Sequence, residues 1–195
     1  MFYDDFFSEL YKNKVRYLLG GGHAVNIYGI IRSTYDIDIL LDLSEENLDK
    51  LLKALKELKM VPALPVDINN IKSEIIRNQW INDKNLIVFN LYRQDEPYHV
   101  VDIFLKPLIN FDEMFERKKI IKYSDFEIYV INKNDLIALK SIAGRNKDND
   151  GNFVISADEH LGGSPLSIKE TLIWLEESRI FFYKIKESIE SKKNS

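Results

Sequence analysis

Apolar residues recur at Phe2, Phe6, Phe7, Leu10 and Tyr11, the spacing of one stripe on a helix, so the opening segment 2–17 is expected to be helical. Tyr17-Leu18-Leu19 follows as a short buried strand that Gly20-Gly21-Gly22 breaks sharply. Segment 23–30 reads as a short helix. Over 35–43 the period changes to two, with Asp36 and Asp38 on one face of a strand and Ile37 and Ile39 on the other. Ser44 then caps an amphipathic helix whose apolar side carries Leu48, Leu51, Leu52, Leu55 and Leu58.

Segment 60–68 contains Pro62 and Pro65 and is expected to be a connection with a short edge strand, followed by a helical turn over 71–76. Segments 86–92 and 98–105 read as paired strands joined through Gln94-Asp95-Glu96-Pro97. A helix over 111–119 and a hairpin over 120–130 come next. Asn132 or Asn134 caps a helix through Leu136, Ile137, Leu139, Lys140 and Ile142, closed by Gly144. Segment 146–165 is polar and reads as a loop, and Ser167-Ile168-Lys169-Glu170 is a capping box for a long terminal helix. Strands and helices interleave without internal repeats. The expected fold class is therefore α/β (α+β): a mixed sheet flanked by helices over 1–132, with a helical C-terminal portion over 133–195 packed on it.

Composition narrows the function classes. With 195 residues, 45% of them hydrophobic, the chain can bury one compact core or a core with a small lobe. It has no cysteine, which excludes a thiolate zinc site and a disulfide framework. The acidic start Asp4-Asp5 is unlike a secretory signal, and the apolar run 37–43 is interrupted by Asp38 and Asp42. A soluble, cytoplasmic protein without a membrane partner is expected. The net charge of -4 argues against broad nonspecific attraction to nucleic acid.

Three features carry chemistry. Gly21-Gly22 lies between a strand and a helix, where glycine permits positive φ and lets backbone N–H groups approach an anion near the helix's positive end. Such a turn also needs glycine for steric reasons alone. Asp36-Ile37-Asp38 projects two carboxylates from one strand face, and charges that close repel unless a cation or a proton lies between them. With no His or Cys nearby, that oxygen-only donor set suits magnesium or manganese. The plainer reading is an exposed strand face with solvated acids. Asp102 stands in the apolar stretch Tyr98-His99-Val100-Val101-Asp102-Ile103-Phe104-Leu105, where a charge is costly to bury without a partner. A metal is one such partner, and a salt bridge to Arg32 or Lys140 is another.

Taken in order, a double glycine, the thirteen residues His23 to Tyr35, Asp-x-Asp on a strand and a later in-strand Asp resemble the signature of the nucleotidyltransferase superfamily typified by DNA polymerase β. The string Gly21-Gly22-His23-Ala24-Val25, then Gly29, Arg32, Thr34, Asp36, Ile37 and Asp38, is similar to small bacterial enzymes of that superfamily, including toxins of AbiE-type toxin–antitoxin systems. Asp135-Leu136-Ile137-Ala138-Leu139-Lys140, with Ala143-Gly144-Arg145 and Lys147-Asp148, extends the likeness over 17–148. After Asp148 the chain departs from that pattern, because Asn149-Asp150-Gly151-Asn152 opens a loop where another leucine-rich helix is usual.

The resemblance implies two divalent ions, Mg2+ or Mn2+, held by Asp36, Asp38 and Asp102, with Asp102 also helping to deprotonate an attacking hydroxyl. It implies an NTP such as ATP as substrate, with Gly21 and Gly22 on its β- and γ-phosphates. Arg32 and Lys140 are candidates to neutralise phosphate charge, and Thr34 to assist by hydrogen bonding. The implied activity is transfer of a nucleoside monophosphate to a hydroxyl of tRNA, protein or a small molecule, as a toxin with a cognate antitoxin in one version. For Arg32 an ordinary surface cation is an equal alternative, and for Lys140 a lysine snorkelling from a core helix is nearly so.

Other readings compete. His23 reads as structural or as a phosphate-side donor, and His99 falls on the strand face opposite Asp102. Asn146-Lys147-Asp148-Asn149-Asp150-Gly151 imitates half an EF-hand loop, but Ala157 stands where a bidentate Glu is required. A second class of function is a non-catalytic module acting through the terminal helix, with Ile168, Leu172, Leu175 and Ile180 beside Trp174, Phe181, Phe182 and Tyr183; the same pattern fits a helix packed on the core.

Overall fold

The computed structural model describes residues 1–30, 34–106 and 109–142, together with Ile180, Phe181, Lys184, Ile185 and Ile189. The chain runs α1 (Phe2–Lys12), β1 (Tyr17–Leu19), α2 (Gly21–Ile27), β2 (Asp36–Leu41), α3 (Glu45–Glu57) and β3 (Met60–Pro62). A 3-10 turn (Ile68–Lys72) and α4 (Glu74–Lys84) lead to β4 (Val88–Arg93) and β5 (Val100–Phe104). Then come α5 (Phe111–Glu116), β6 (Lys119–Tyr123), β7 (Phe126–Val130) and α6 (Lys133–Ile142). The strands make one mixed seven-stranded sheet in the order β3-β4-β5-β2-β1-β7-β6, so the fold is α/β. β2 pairs with β5 in parallel, as β1 does with β7, and the other neighbours are antiparallel.

Alternation along β2, β4 and β5 gives the sheet a closed, fully covered apolar face and a more open one, on which Leu18, Leu40 and Asp102 are nevertheless buried. Ile37, Ile39, Phe89, Leu91, Val101 and Ile103 are all buried. Asp36 and Asp38 are half-buried and Asn90 is exposed. Helices cover the closed face: Trp80 of α4 stacks on Phe89 at 5.3 Å between ring centroids, and Phe7 of α1 stacks on Tyr17 at 5.9 Å. Each large apolar side chain taken from water there contributes roughly 1.5–3 kcal/mol.

Phe2, Tyr3, Phe6, Phe7 and Leu10 of α1 are all buried. Against them lies Phe181, fully buried, with ring centroids 4.8 Å from Tyr3 and 5.8 Å from both Phe7 and Tyr123. Lys184 Nζ reaches Asp4 Oδ2 at 3.5 Å, while the Tyr123 hydroxyl donates to Asp4 Oδ1 at 2.7 Å. Among the described C-terminal residues, Phe181 and Ile185 are thus part of the core and Ile189 packs against it, while Ile180 and Lys184 are exposed. No helix among the described residues is long and apolar enough to cross a membrane.

Some expectations shift. Where a turn over 71–76 was expected, an eleven-residue helix, α4, follows the 3-10 turn. Its apolar residues make no continuous stripe: Ile75 is 72% exposed, and Arg77 and Trp80 are the residues it buries. Local bonds define it instead, since the Ile76 N–H donates to Ser73 Oγ (3.4 Å) and Asn85 in the left-handed region closes it. The Arg77 guanidinium donates to the carbonyls of Ile71 (2.6 Å) and Lys72 (3.0 Å), satisfying the end of the 3-10 turn.

Ser44 occupies the N-cap of α3, but its side chain makes no cap bond; its own N–H donates to Asp42 Oδ1 at 2.9 Å. Buried Asn47 ties this corner together. Its Oδ1 accepts from the Arg16 N–H (2.7 Å), and its Nδ2 donates to the carbonyls of Arg16 (3.0 Å) and Asp42 (2.8 Å). At α6 the cap is Asn132, whose Oδ1 accepts from the Asn134 N–H at 2.9 Å. The Gly144 stop, Arg145, Lys147, the 146–165 loop and the capping box 167–170 lie outside the described residues.

Candidate metal centre

The parallel pairing of β2 and β5 sets Asp38 opposite Asp102 and Asp36 opposite Val100. The antiparallel pairing of β4 and β5 sets Asn90 opposite Asp102. Residues opposite one another in a ladder share a face. Asp38, Asp102 and Asn90 therefore form a row across three strands, with Asp36 one pleat along on the same side.

Asp36, Asp38 and Asp102 each place a carboxylate oxygen so that all three lie within 4.8 Å of one another. Divalent cations bind oxygen at about 2.0–2.6 Å, so ligands on either side of one ion stand roughly 4–5 Å apart. The three carboxylates fit a hard divalent cation in spacing and in donor type.

The electrostatics agree. Asp102 is only 6% exposed. Burial first, and repulsion from Asp36 second, push its carboxyl up to about 7, against the stabilising hydrogen bond from Asn90. A cation among these oxygens relieves the strain that a proton relieves in its place. Around them, Thr34 Oγ1 donates to Asp36 Oδ1 at 3.2 Å, and Asn90 Nδ2 donates to Asp102 Oδ1 at 2.7 Å.

The diglycine bend closes on the same spot. The Gly20 N–H donates to the Asp38 carbonyl at 2.8 Å, anchoring the end of β1 to β2. Gly21 has φ +53°, and a Cβ there would overlap the Asp38 carboxylate and lie 2.6 Å from its Cβ. A Cβ on Gly22 would lie 2.5 Å from Thr34 Cβ. The steric requirement for glycine is met, and what it serves is close approach of the turn to the acidic cluster.

The structure thus brings together Gly21, Gly22, Thr34, Asp36, Asp38 and Asp102. Lys140 is half-buried on α6, and Arg32 lies outside the described residues. Buried His23 meets the rings of Tyr3 and Phe181 at 5.3 and 6.4 Å, and buried His99 stacks on Phe2 at 4.2 Å. His99 precedes β5 on the alternation opposite Asp102, as the strand pattern implied.

Asn90 carries no charge, so nothing along its own strand marks it as a partner for Asp102. A signal was present: folding the 86–105 hairpin evenly about Glu96 places 90 opposite 102. No family model and no curated protein matches the chain.

Proposed function

We propose that the protein is a metal-dependent nucleotidyltransferase that moves a nucleoside monophosphate from an NTP to a hydroxyl acceptor. The observation that carries this reading is the convergence of Asp36, Asp38 and Asp102 within 4.8 Å on the open sheet face. The order of the diglycine, the Asp-x-Asp strand and the later Asp, which resembles the superfamily, supports it.

Asp36 and Asp38 would hold one Mg2+ or Mn2+, and Asp102 would join them at a second. Bound there, the metal would neutralise triphosphate charge and ease ionisation of the attacking hydroxyl. By the same resemblance, Asp102 is the carboxylate that would help take that hydroxyl's proton. Thr34 orients Asp36 through its hydroxyl. Gly21 and Gly22 allow a phosphate to approach backbone N–H groups beside Asp38, and Arg32 and Lys140 are the side chains proposed for the remaining phosphate charge. ATP as donor, a tRNA or protein acceptor, a cytoplasmic site of action and pairing with an antitoxin belong to this proposal through the resemblance to AbiE-type toxins.

The alternative, a non-catalytic module working through the terminal helix, is less favoured because Phe181 and Ile185 are committed to the core. The deciding experiment incubates the chain with each labelled NTP, Mg2+ and bulk tRNA or lysate. Label should appear on an acceptor and vanish in the Asp36→Ala/Asp38→Ala double variant. Absence of transfer from every NTP, with nucleotide binding in calorimetry unchanged by the double substitution, would sink the proposal.

A further inference from the structure

We propose that Asn90 is a positioning residue of this centre, holding Asp102 by one oxygen so that the carboxylate is presented in fixed orientation to a metal shared with Asp36 and Asp38. The inference rests on the metal-centre reading above and adds to it a residue outside the acidic signature.

Asp102 is flanked in the sheet by Asp38 on β2 and by Asn90 on β4. On the β2 side Asp38 stands opposite and Asp36 one pleat along, and repulsion from these two acids favours rotation of the Asp102 side chain away from them. On the β4 side Asn90 Nδ2 donates to Oδ1 at 2.7 Å. A metal-bound carboxylate is ionised and only accepts, which suits the amide nitrogen that Asn90 turns toward it. One pinned oxygen fixes the carboxyl plane and with it the place of the other oxygen.

The residue type suits the task. A Lys or Arg at 90 would orient Asp102 but cancel the charge that a cation needs. An Asp would add a fourth negative charge. A neutral amide holds the ligand and leaves its charge intact, as partners of metal ligands commonly do. Nor is Asn90 required for the core: its side chain is on the open face and exposed. Its ladder bonds come from the backbone, including the carbonyl that accepts from the Ala63 N–H at 3.0 Å.

The test is Mn2+ titration of the full chain by calorimetry, with the metal alone, for wild type, Asn90→Leu, Asn90→Ala and Asp38→Asn. Metal-free melting is recorded for each. Expected are Mn2+ binding by wild type, its loss in Asp38→Asn, and affinity weakened about 10–100-fold in both Asn90 variants without a matching drop in metal-free melting. Wild-type affinity in the Asn90 variants, with Asp38→Asn still deficient, overturns this inference and leaves the metal centre standing. Weakening that merely tracks a drop in metal-free melting overturns it too, by making Asn90 structural. No Mn2+ binding by wild type, or equal binding by Asp38→Asn, removes the metal centre and the inference together.

Discussion

Gly21 and Asp38 fit together because the glycine has no side chain: a Cβ there would occupy the position of the Asp38 carboxylate. Gly21 also holds φ +53°, where a residue other than glycine costs on the order of 1–3 kcal/mol. Gly29 supplies an internal comparison, with φ +95° and nothing within 4 Å of a built Cβ. Gly21→Ala should destabilise the chain in urea and also abolish Mn2+ binding, by displacing a ligand. Gly29→Ala should destabilise through backbone strain alone and leave Mn2+ affinity unchanged.

The Asp102 carboxyl supplies a pH signature. Its value in the fold, about 7, lies above the ordinary 3.8. Between those values the folded chain keeps a proton that the unfolded chain has released, so metal-free stability falls as pH rises through that window. Asp102→Asn should flatten the dependence and exceed wild type at pH ~8 by on the order of 2–4 kcal/mol. The two should converge below pH ~4. Urea unfolding across the range reads this out, and adding Mn2+ at the upper end should raise wild type far more than the variant.

Phe181 tests how firmly the C-terminal helix belongs to the core. Truncating a fully buried phenylalanine costs about 3–5 kcal/mol, and here it also removes ring contacts with Tyr3 and Phe7. Phe181→Ala should lower the urea midpoint accordingly, with a smaller loss for Phe181→Leu. A variant as stable as wild type would return the helix to the role of a docking module.

Asn47 is 2% exposed and serves one backbone N–H and two carbonyls with a single side chain. Asn47→Ala removes these partners from the Arg16 N–H and the Asp42 carbonyl at the junction of β1, β2 and α3, while the Arg16 carbonyl keeps the Asp42 N–H at 3.2 Å; the cost is roughly 1–3 kcal/mol for each group left unpaired. Equilibrium denaturation should show the loss, while Mn2+ affinity, read at the other end of β1, should hold.

Much of this was legible in the residues themselves. The alternation Asp36, Ile37, Asp38, Ile39 gave both the strand and the face its acids share, because pleating alone dictates it. The leucine spacing of α3 and the aromatic stripe of α1 likewise follow from helical period. What escaped has a common cause. α4 is bounded by Ser73 and Asn85, tied by two Arg77 bonds to carbonyls, and anchored in the core mainly by Trp80, with Ile75 exposed, so its apolar period is weak. Ser44 has the composition of a cap, yet Asp42 and Asn47 organise that corner through bonds between distant or unlike positions. Asn90 acquires its role from strand register, which a pattern along one strand does not contain. The meeting of Asp102 with the Asp-x-Asp pair was inferred from a family likeness, and its placement on adjacent strands comes from the sheet.

The parallel run of β2 beside β5 has a consequence for how the chain matures. Parallel neighbours cannot be joined by a tight turn, and here everything from α3 through β4 must be threaded before the two meet. A nascent or half-assembled chain owns two of the three acids but cannot chelate with them as the finished protein would. Ion capture would then wait until β5 has joined β2, and a tethered cation would rivet that seam.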